Sequence, residues 1–321
     1  PPDDKDKRRR VVFLAWLAVG SLLVASGFIY YVRSNDSSTL DLKGKAKKKK
    51  VVKKTPAKPA ATPTPAAPAT DSGGVLAELG APAGSALVQD SAFRSVVNGF
   101  SFPNWAGVPT GDKIDASVMV ALFGAKAVCA TGDATSCVLY PGAKSLADQL
   151  NDAIQYGRCE GMAVLSQRFF LSLDDTKAID PAAVNAYLVK QPNVLKQIAY
   201  WWSTQIAPPV AKVSSDYRKK QPSDIVTALI DGMKSKGGFS MGLYTADGAH
   251  SVTPLAITKL GDDYRIHVYD NNYPNEIRAV VVNTATQTWT YQGGAVSGSG
   301  AGAWTGTGPG TLDITPMSPR V

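Results

Sequence analysis

Residues 250–272 read HSVTPLAITKLGDDYRIHVYDNN, and the organisation of the chain can be worked outward from them. Ser251–Lys259 and Tyr264–Asp270 are rich in β-branched and aromatic residues, and Gly261-Asp262-Asp263 between them is turn chemistry. Two more such runs follow, Ile277–Asn283 and Thr288–Gln292, separated by Asn271-Asn272-Tyr273-Pro274-Asn275 and by Thr284-Ala285-Thr286-Gln287. Four strands joined by short turns predict an antiparallel meander. Residues 293–310 hold eight Gly and are expected to form a loop, with Thr311–Thr315 as a last strand.

The pattern is different upstream of Gly237-Gly238. From Lys144 to Tyr156, Leu146, Leu150 and Ile154 recur at helical spacing, and Gly157 follows where a C-terminal glycine ends a helix. A second helix is predicted from Cys159 to Leu173, with Met162, Leu165 and Phe169 on one face. Residues 114–126 are also expected to be helical, residues 71–92 to hold one helix, and residues 180–236 to be mostly helical. Trp201-Trp202, in the last of these, are expected in the core. A helical half followed by an antiparallel half makes an α+β domain.

The formal charge of +8 does not belong to that domain. Residues 1–58 hold 15 Lys and Arg against 5 Asp, and the rest of the chain holds 19 against 21 acidic residues. A nucleic-acid partner, which a basic chain first suggests, is therefore not expected. Residues 11–32 carry no charge and at about 1.5 Å per residue are long enough to cross a bilayer. Arg8, Arg9 and Arg10 precede them, and Tyr30, Tyr31 and Arg33 close the span. The expected boundaries are a basic tail at 1–10, a transmembrane helix at 11–32, a Lys-rich then Pro/Ala/Thr-rich linker at 33–72, and the α+β domain at 73–321. Lysines at 43, 45 and 47–50 favour a cytoplasmic domain by the positive-inside count. The linker 55–70, with five Pro and six Ala, and the cysteines favour an extracytoplasmic one, which is the expectation adopted.

The chain has three cysteines and two histidines. Cys129 and Cys137 flank seven small and polar residues and are expected to pair as a local disulfide, which leaves Cys159 over. Cys159 opens a helix, where the dipole and unpaired N–H groups favour a thiolate, and the neighbouring Arg158 adds positive charge. Its own N–H is a candidate oxyanion donor. His250 stands at the start of the first meander strand and Asp270 at the end of the next. Adjacent antiparallel strands bring those ends together, which suits an imidazole oriented by a carboxylate. Asn271 and Asn272 are alternatives to Asp270. His267, mid-strand, shares a face with Arg265 and Tyr269, opposite to Ile266, Val268 and Asp270, and is expected on the solvent side or in a second layer.

The order Cys at a helix start, His at a strand start and Asp or Asn at the next strand's end resembles the papain-like and transglutaminase-like cysteine hydrolases, over about Leu146 to Gln292. The segments Cys159–Ser166, His250–Pro254 and Val268–Pro274 are also similar to those of bacterial extracytoplasmic proteins of this type. The resemblance implies a helical half bearing the nucleophile packed on a sheet bearing the base, and hydrolysis or transfer at peptide or amide bonds. It implies an oxyanion-hole Gln shortly before the nucleophile. Gln155 lies four residues before Cys159 and Asn151 eight before, while the C-G-x-C-W peptidase signature is absent.

No phosphate-binding or dinucleotide glycine motif lies between a strand and a helix, no G-x-S-x-G elbow occurs, and the His and Cys lack zinc-ligand spacing. No cofactor or metal is expected. The competing expectation is a catalytically inactive domain of this fold, serving as a binding or scaffold subunit of a membrane complex. The aromatic stretch Phe100–Trp105 would then be a partner surface rather than core.

Overall fold

The computed structural model describes residues 72–173, 192–246, 248–293 and 303–320. The expected transmembrane helix at 11–32 and nearly all of the linker lie outside these residues. Among the described residues no helix is long and apolar enough to cross a membrane.

The domain is α+β, with a curled antiparallel sheet. Its strands are β1 (Ala86–Asp90), β2 (Phe239–Thr245), β3 (Gly248–Leu260), β4 (Asp263–Tyr269), β5 (Ile277–Asn283), β6 (Thr288–Gln292), β7 (Ala303–Thr307) and β8 (Leu312–Pro316). The order is β7-β6-β5-β4-β3-β2-β8, with β1 also paired to β3. The curl brings β7, at one end of this order, back against β2. The expected meander is present as β3 to β6, and it extends by one strand on each side.

β3 organises the sheet. Its first half pairs with β2, from Thr245↔Gly248 to Met241↔Val252, and its second half pairs with β1, from Asp90↔Ala256 to Ala86↔Lys259. Along its other edge it pairs with β4, with a register shift between Pro254 and Ala256. Proline has no N–H to give to a ladder, so a strand proline sits where the ladder is already broken. Near this bulge the Leu255 carbonyl accepts from the N–H and hydroxyl of Ser91 at 2.9 and 2.7 Å. The β3–β4 turn is two residues long. Gly261 takes its first position at φ 62°, a conformation that suits glycine and gives a hairpin the right twist.

Helices cover the sheet and form the other half. They are α1 (Ser72–Glu78), α2 (Ser95–Asn98), α3 (Ala116–Phe123), α4 (Ala125–Val128), α5 (Pro141–Ile154), α6 (Cys159–Phe170), α7 (Pro192–Ser203), α8 (Pro208–Arg218) and α9 (Pro222–Lys234). A Pro in the first turn starts α5, α8 and α9, where its missing N–H costs nothing. α9 buries Ile225, Val226, Leu229 and Met233 against Met241, Leu243, Val252, Ile266, Val280 and Trp289 of the sheet. In the helical half, α6 and α7 share a second core containing Met162, Leu165, Ile198 and Trp201. They approach closely at Gly161, where a Cβ would lie 2.1 Å from the Ile198 carbonyl oxygen.

Three expectations change in detail. Where one helix is expected at 71–92, the described residues from 72 on form a short helix and then strand β1, because Gly80 at φ 60° ends the helix and Pro82 follows. The helix expected at 114–126 breaks at Gly124, φ 81°, into α3 and α4. The glycine-rich stretch after residue 293 contains β7, whose Trp304 fills the core opposite Tyr291.

Candidate active site

Cys159 is the first residue of α6, is half-buried and is not in a disulfide. The first main-chain bond of the helix runs from the Met162 N–H to the Arg158 carbonyl at 3.0 Å. The N–H groups of Cys159, Glu160 and Gly161 therefore precede the helical ladder and carry the positive end of its dipole. The turn before the helix is held by Asn104, whose Oδ1 accepts from the Arg158 N–H at 2.7 Å.

His250 is buried in β3, directly across from Leu243 of β2. Its Nε2 hydrogen-bonds Asp270 Oδ1 at 2.7 Å. The strand-end argument is met: β3 pairs with β4 as far as Thr253↔Tyr269, so the next residues of each strand continue past one another. The other ring nitrogen, Nδ1, is buried and has no hydrogen-bond partner. With Nε2 committed to Asp270, Nδ1 is the nitrogen left for the Cys159 thiol. Burial works against an imidazolium at His250. The Asp270 carboxylate outweighs it, with a further contribution from Cys159 nearby, and the His250 pKa is raised to about 10.

Asp270 is fully buried. Besides His250 it accepts from the Asn272 N–H at 2.8 Å and, at Oδ2, from the Tyr291 hydroxyl. Burial alone would push its carboxyl up. The charge on His250 and these donors hold it below the usual carboxylate range.

The three consecutive residues Asp270, Asn271 and Asn272 have separate partners. Of the three, Asp270 is the one bonded to the His250 ring. Asn271 Nδ2 donates to the carbonyls of Cys159 and Ser251 at 3.0 and 2.9 Å, tying the start of α6 to β3. Asn272 Oδ1 accepts from Asn104 Nδ2 at 3.0 Å, and Asn104 in turn holds Arg158.

Gln155 is engaged away from Cys159. Its side chain turns back on its own helix and donates to the Asp152 carbonyl at 2.8 Å. Asn151 is occupied too, with Ile114 and Ala147. The main-chain N–H groups that begin α6 remain as donors at Cys159. Arg158 also departs from expectation: its guanidinium is buried against Asp112 at 2.6 Å and lies over the Trp105 ring, so its charge is compensated there. Glu160, beside the nucleophile, is compensated in the same way. It accepts from Ser240 and Ser251 and pairs with the buried Arg320.

His267 is buried rather than on the solvent side. It bonds Thr258 Oγ1 at 2.9 Å on the opposite face of the sheet to Ile266 and Val268, and burial lowers its pKa to about 4. Cys129 and Cys137 lie with their sulfurs at bonding distance and Cα atoms 5.0 Å apart, a disulfide-capable pair. Among the described residues no group of three or more His, Cys, Asp or Glu is placed to hold a metal ion.

Three contributors were not foreseen in the sequence: Asn104, Tyr291 and Arg320. Asn104 lay in the Phe100–Trp105 stretch that had two readings. Phe100 is fully buried and the Asn104 N–H donates to the Asn271 carbonyl at 2.7 Å, so these two residues pack into the domain, while Ser101 and Pro103 are exposed. Neither Tyr291 nor Arg320 carries a local signal, because each reaches the site only through the sheet's curl or the returning C-terminal segment.

No protein-family model matches the chain, and no curated protein or solved structure matches it.

Proposed function

We propose that this domain is a papain-like thiol hydrolase or acyltransferase acting on peptide or amide bonds, with Cys159 as nucleophile, His250 as acid and base, and Asp270 orienting His250. The observation that carries this is the buried His250–Asp270 pair, Nε2 to Oδ1 2.7 Å, beside a half-exposed thiol at the start of a helix.

With its pKa raised to about 10, His250 is an imidazolium at neutral pH whenever Cys159 is a thiolate. The thiolate attacks the carbonyl carbon, and the C=O electron pair moves to oxygen, which the N–H groups at the start of α6 stabilise. The C–N bond then breaks as His250 gives its proton to the departing amine, leaving a thioester on Cys159. Water or an acceptor amine, losing its proton to His250, attacks the thioester and releases the thiolate. Asp270 keeps Nε2 engaged, so that Nδ1 faces the sulfur throughout.

The expected anchor at 11–32 would hold the domain at a membrane, and the Cys129–Cys137 pair suits an oxidising, extracytoplasmic setting. The test is labelling of the reduced protein with a thiol-reactive amide mimic. The wild type should label and Cys159→Ala should not, with unchanged circular dichroism. Equal labelling of both, or none of either, would instead favour the inactive scaffold.

A further inference from the structure

Asp270 has two carboxylate oxygens and only one of them serves His250. The other, Oδ2, accepts from Tyr291, a core residue of β6 paired with Val280 on one side and Trp304 on the other. Tyr291 is buried and its ring is fixed by more than the sheet. A Cβ at Gly293 would lie 2.3 Å from Tyr291 Cε1 and 2.9 Å from its hydroxyl, so the chain leaving β6 packs directly on the ring. A buried tyrosine needs a partner for its O–H, but a carboxylate already bound to an imidazole is not the ordinary choice. The link also spans topology. It joins the β3–β4 end, where His250 and Asp270 stand, to a strand two places further along the sheet.

We infer that Tyr291 is a positioning residue for the proposed chemistry: its hydroxyl grips Oδ2 of Asp270 and thereby holds Oδ1 on His250. This rests on the Cys159–His250–Asp270 reading and deepens it.

The charged and titratable groups around this contact are few. His250 faces Asp270 from β3, and Cys159 faces His250 from α6. Arg278 of β5 lies near Tyr291, but its guanidinium stacks on Tyr273 and bonds Glu276 and the Gln292 carbonyl. The main-chain N–H of Asn272 is the remaining donor to Asp270. Burial and the Asp270 charge both push the Tyr291 phenol well up, so it stays protonated and donates throughout the working range. Without the hydroxyl, the buried carboxylate loses a donor that favours its charged form, so it takes up a proton at higher pH. The imidazolium loses its counter-charge at that same point, and the thiolate with it.

The experiment is the pH dependence of iodoacetamide alkylation at Cys159 in the folded protein, which needs no known substrate. Wild type should show an acid limb that Asp270→Asn displaces. In Tyr291→Phe that limb should move up by about one pH unit, and in Asp270→Asn a further Tyr291→Phe change should move nothing. Replacing Tyr291 with a fluorotyrosine, a stronger donor of nearly the same shape, should move the limb down, and this variant decides the matter should the phenylalanine variant not fold. A limb that Asp270→Asn moves and that neither Tyr291 variant moves overturns the role of Tyr291 and leaves the proposed site standing. A limb that Asp270→Asn leaves in place overturns both.

Discussion

The side-chain amide of Asn271 and the main-chain carbonyl of Cys159 are joined by a hydrogen bond of 3.0 Å, across 112 residues of sequence. The same Nδ2 also holds the Ser251 carbonyl, one residue beyond His250. One amide thus ties the start of the Cys159 helix to the His250 strand. Asn271→Ala removes the donor from both carbonyls in a buried setting. A loss of about 2 kcal/mol is expected, from the usual penalty for unsatisfied buried groups. Urea denaturation measures it. Cys159 alkylation near neutral pH should also slow in the folded variant, since the helix start is no longer pinned beside His250.

Gly161 lies two residues into α6, and a methyl there meets the Ile198 carbonyl oxygen at 2.1 Å. Neither backbone gives way without separating α6 from α7. Gly161→Ala should therefore destabilise by roughly 1–3 kcal/mol, despite alanine's better helix propensity. A rise in melting temperature would show that the two helices are not held as closely as described.

The Arg158–Asp112 pair is fully desolvated, with both residues at most 2% exposed. Breaking one side leaves an uncompensated buried charge. Arg158→Met should cost roughly 3–5 kcal/mol, and adding Asp112→Leu should restore most of it. If the double variant is as unstable as the single one, the pair does not act as a unit.

Stability should depend on pH through three groups of known sign. His267 has its pKa lowered to about 4 against an ordinary 6.5, so the folded state binds fewer protons than the unfolded chain between those values. Its contribution is present above pH 6.5 and is lost as the pH falls towards 4, on the order of 3 kcal/mol. Asp270, held below its ordinary 3.8, adds to the acid loss at lower pH. His250, raised to about 10, has the opposite sign: its contribution is full below pH 6.5 and is lost as the pH rises through 10. Urea midpoints from pH 4 to 10 should fall on both sides, and His267→Gln should flatten the acid fall while leaving the alkaline one in place.

What could be read in the sequence was whatever depends on neighbours in the chain. Leu146, Leu150 and Ile154 at a four-residue spacing mark α5, and the two runs either side of Gly261 mark the hairpin that brings His250 to Asp270. β2 escaped because Phe239–Leu243 is buried on both faces and shows no alternation. Gln155 looked like an oxyanion donor by its distance from Cys159 along the chain, but the end of α5 gave its amide a nearer acceptor in Asp152. Arg158 looked like a cation for the thiolate, and Asp112, 46 residues away, was the stronger claim on it. In each of these cases a partner remote in sequence, or a local carbonyl, decided the outcome.

The long strand β3 has one more consequence, for the order in which the site comes into being. His250 and Asp270 are 20 residues apart and meet as soon as one hairpin closes. Cys159 lies in a different half, and contacts between that helix start and β3 close a loop of about 90 residues, as Ser251 to Glu160 does across 91. Loop closure of that length comes late. A partly folded chain can therefore hold the His250–Asp270 pair before Cys159 is brought beside it, and the three residues come together only when the two halves dock.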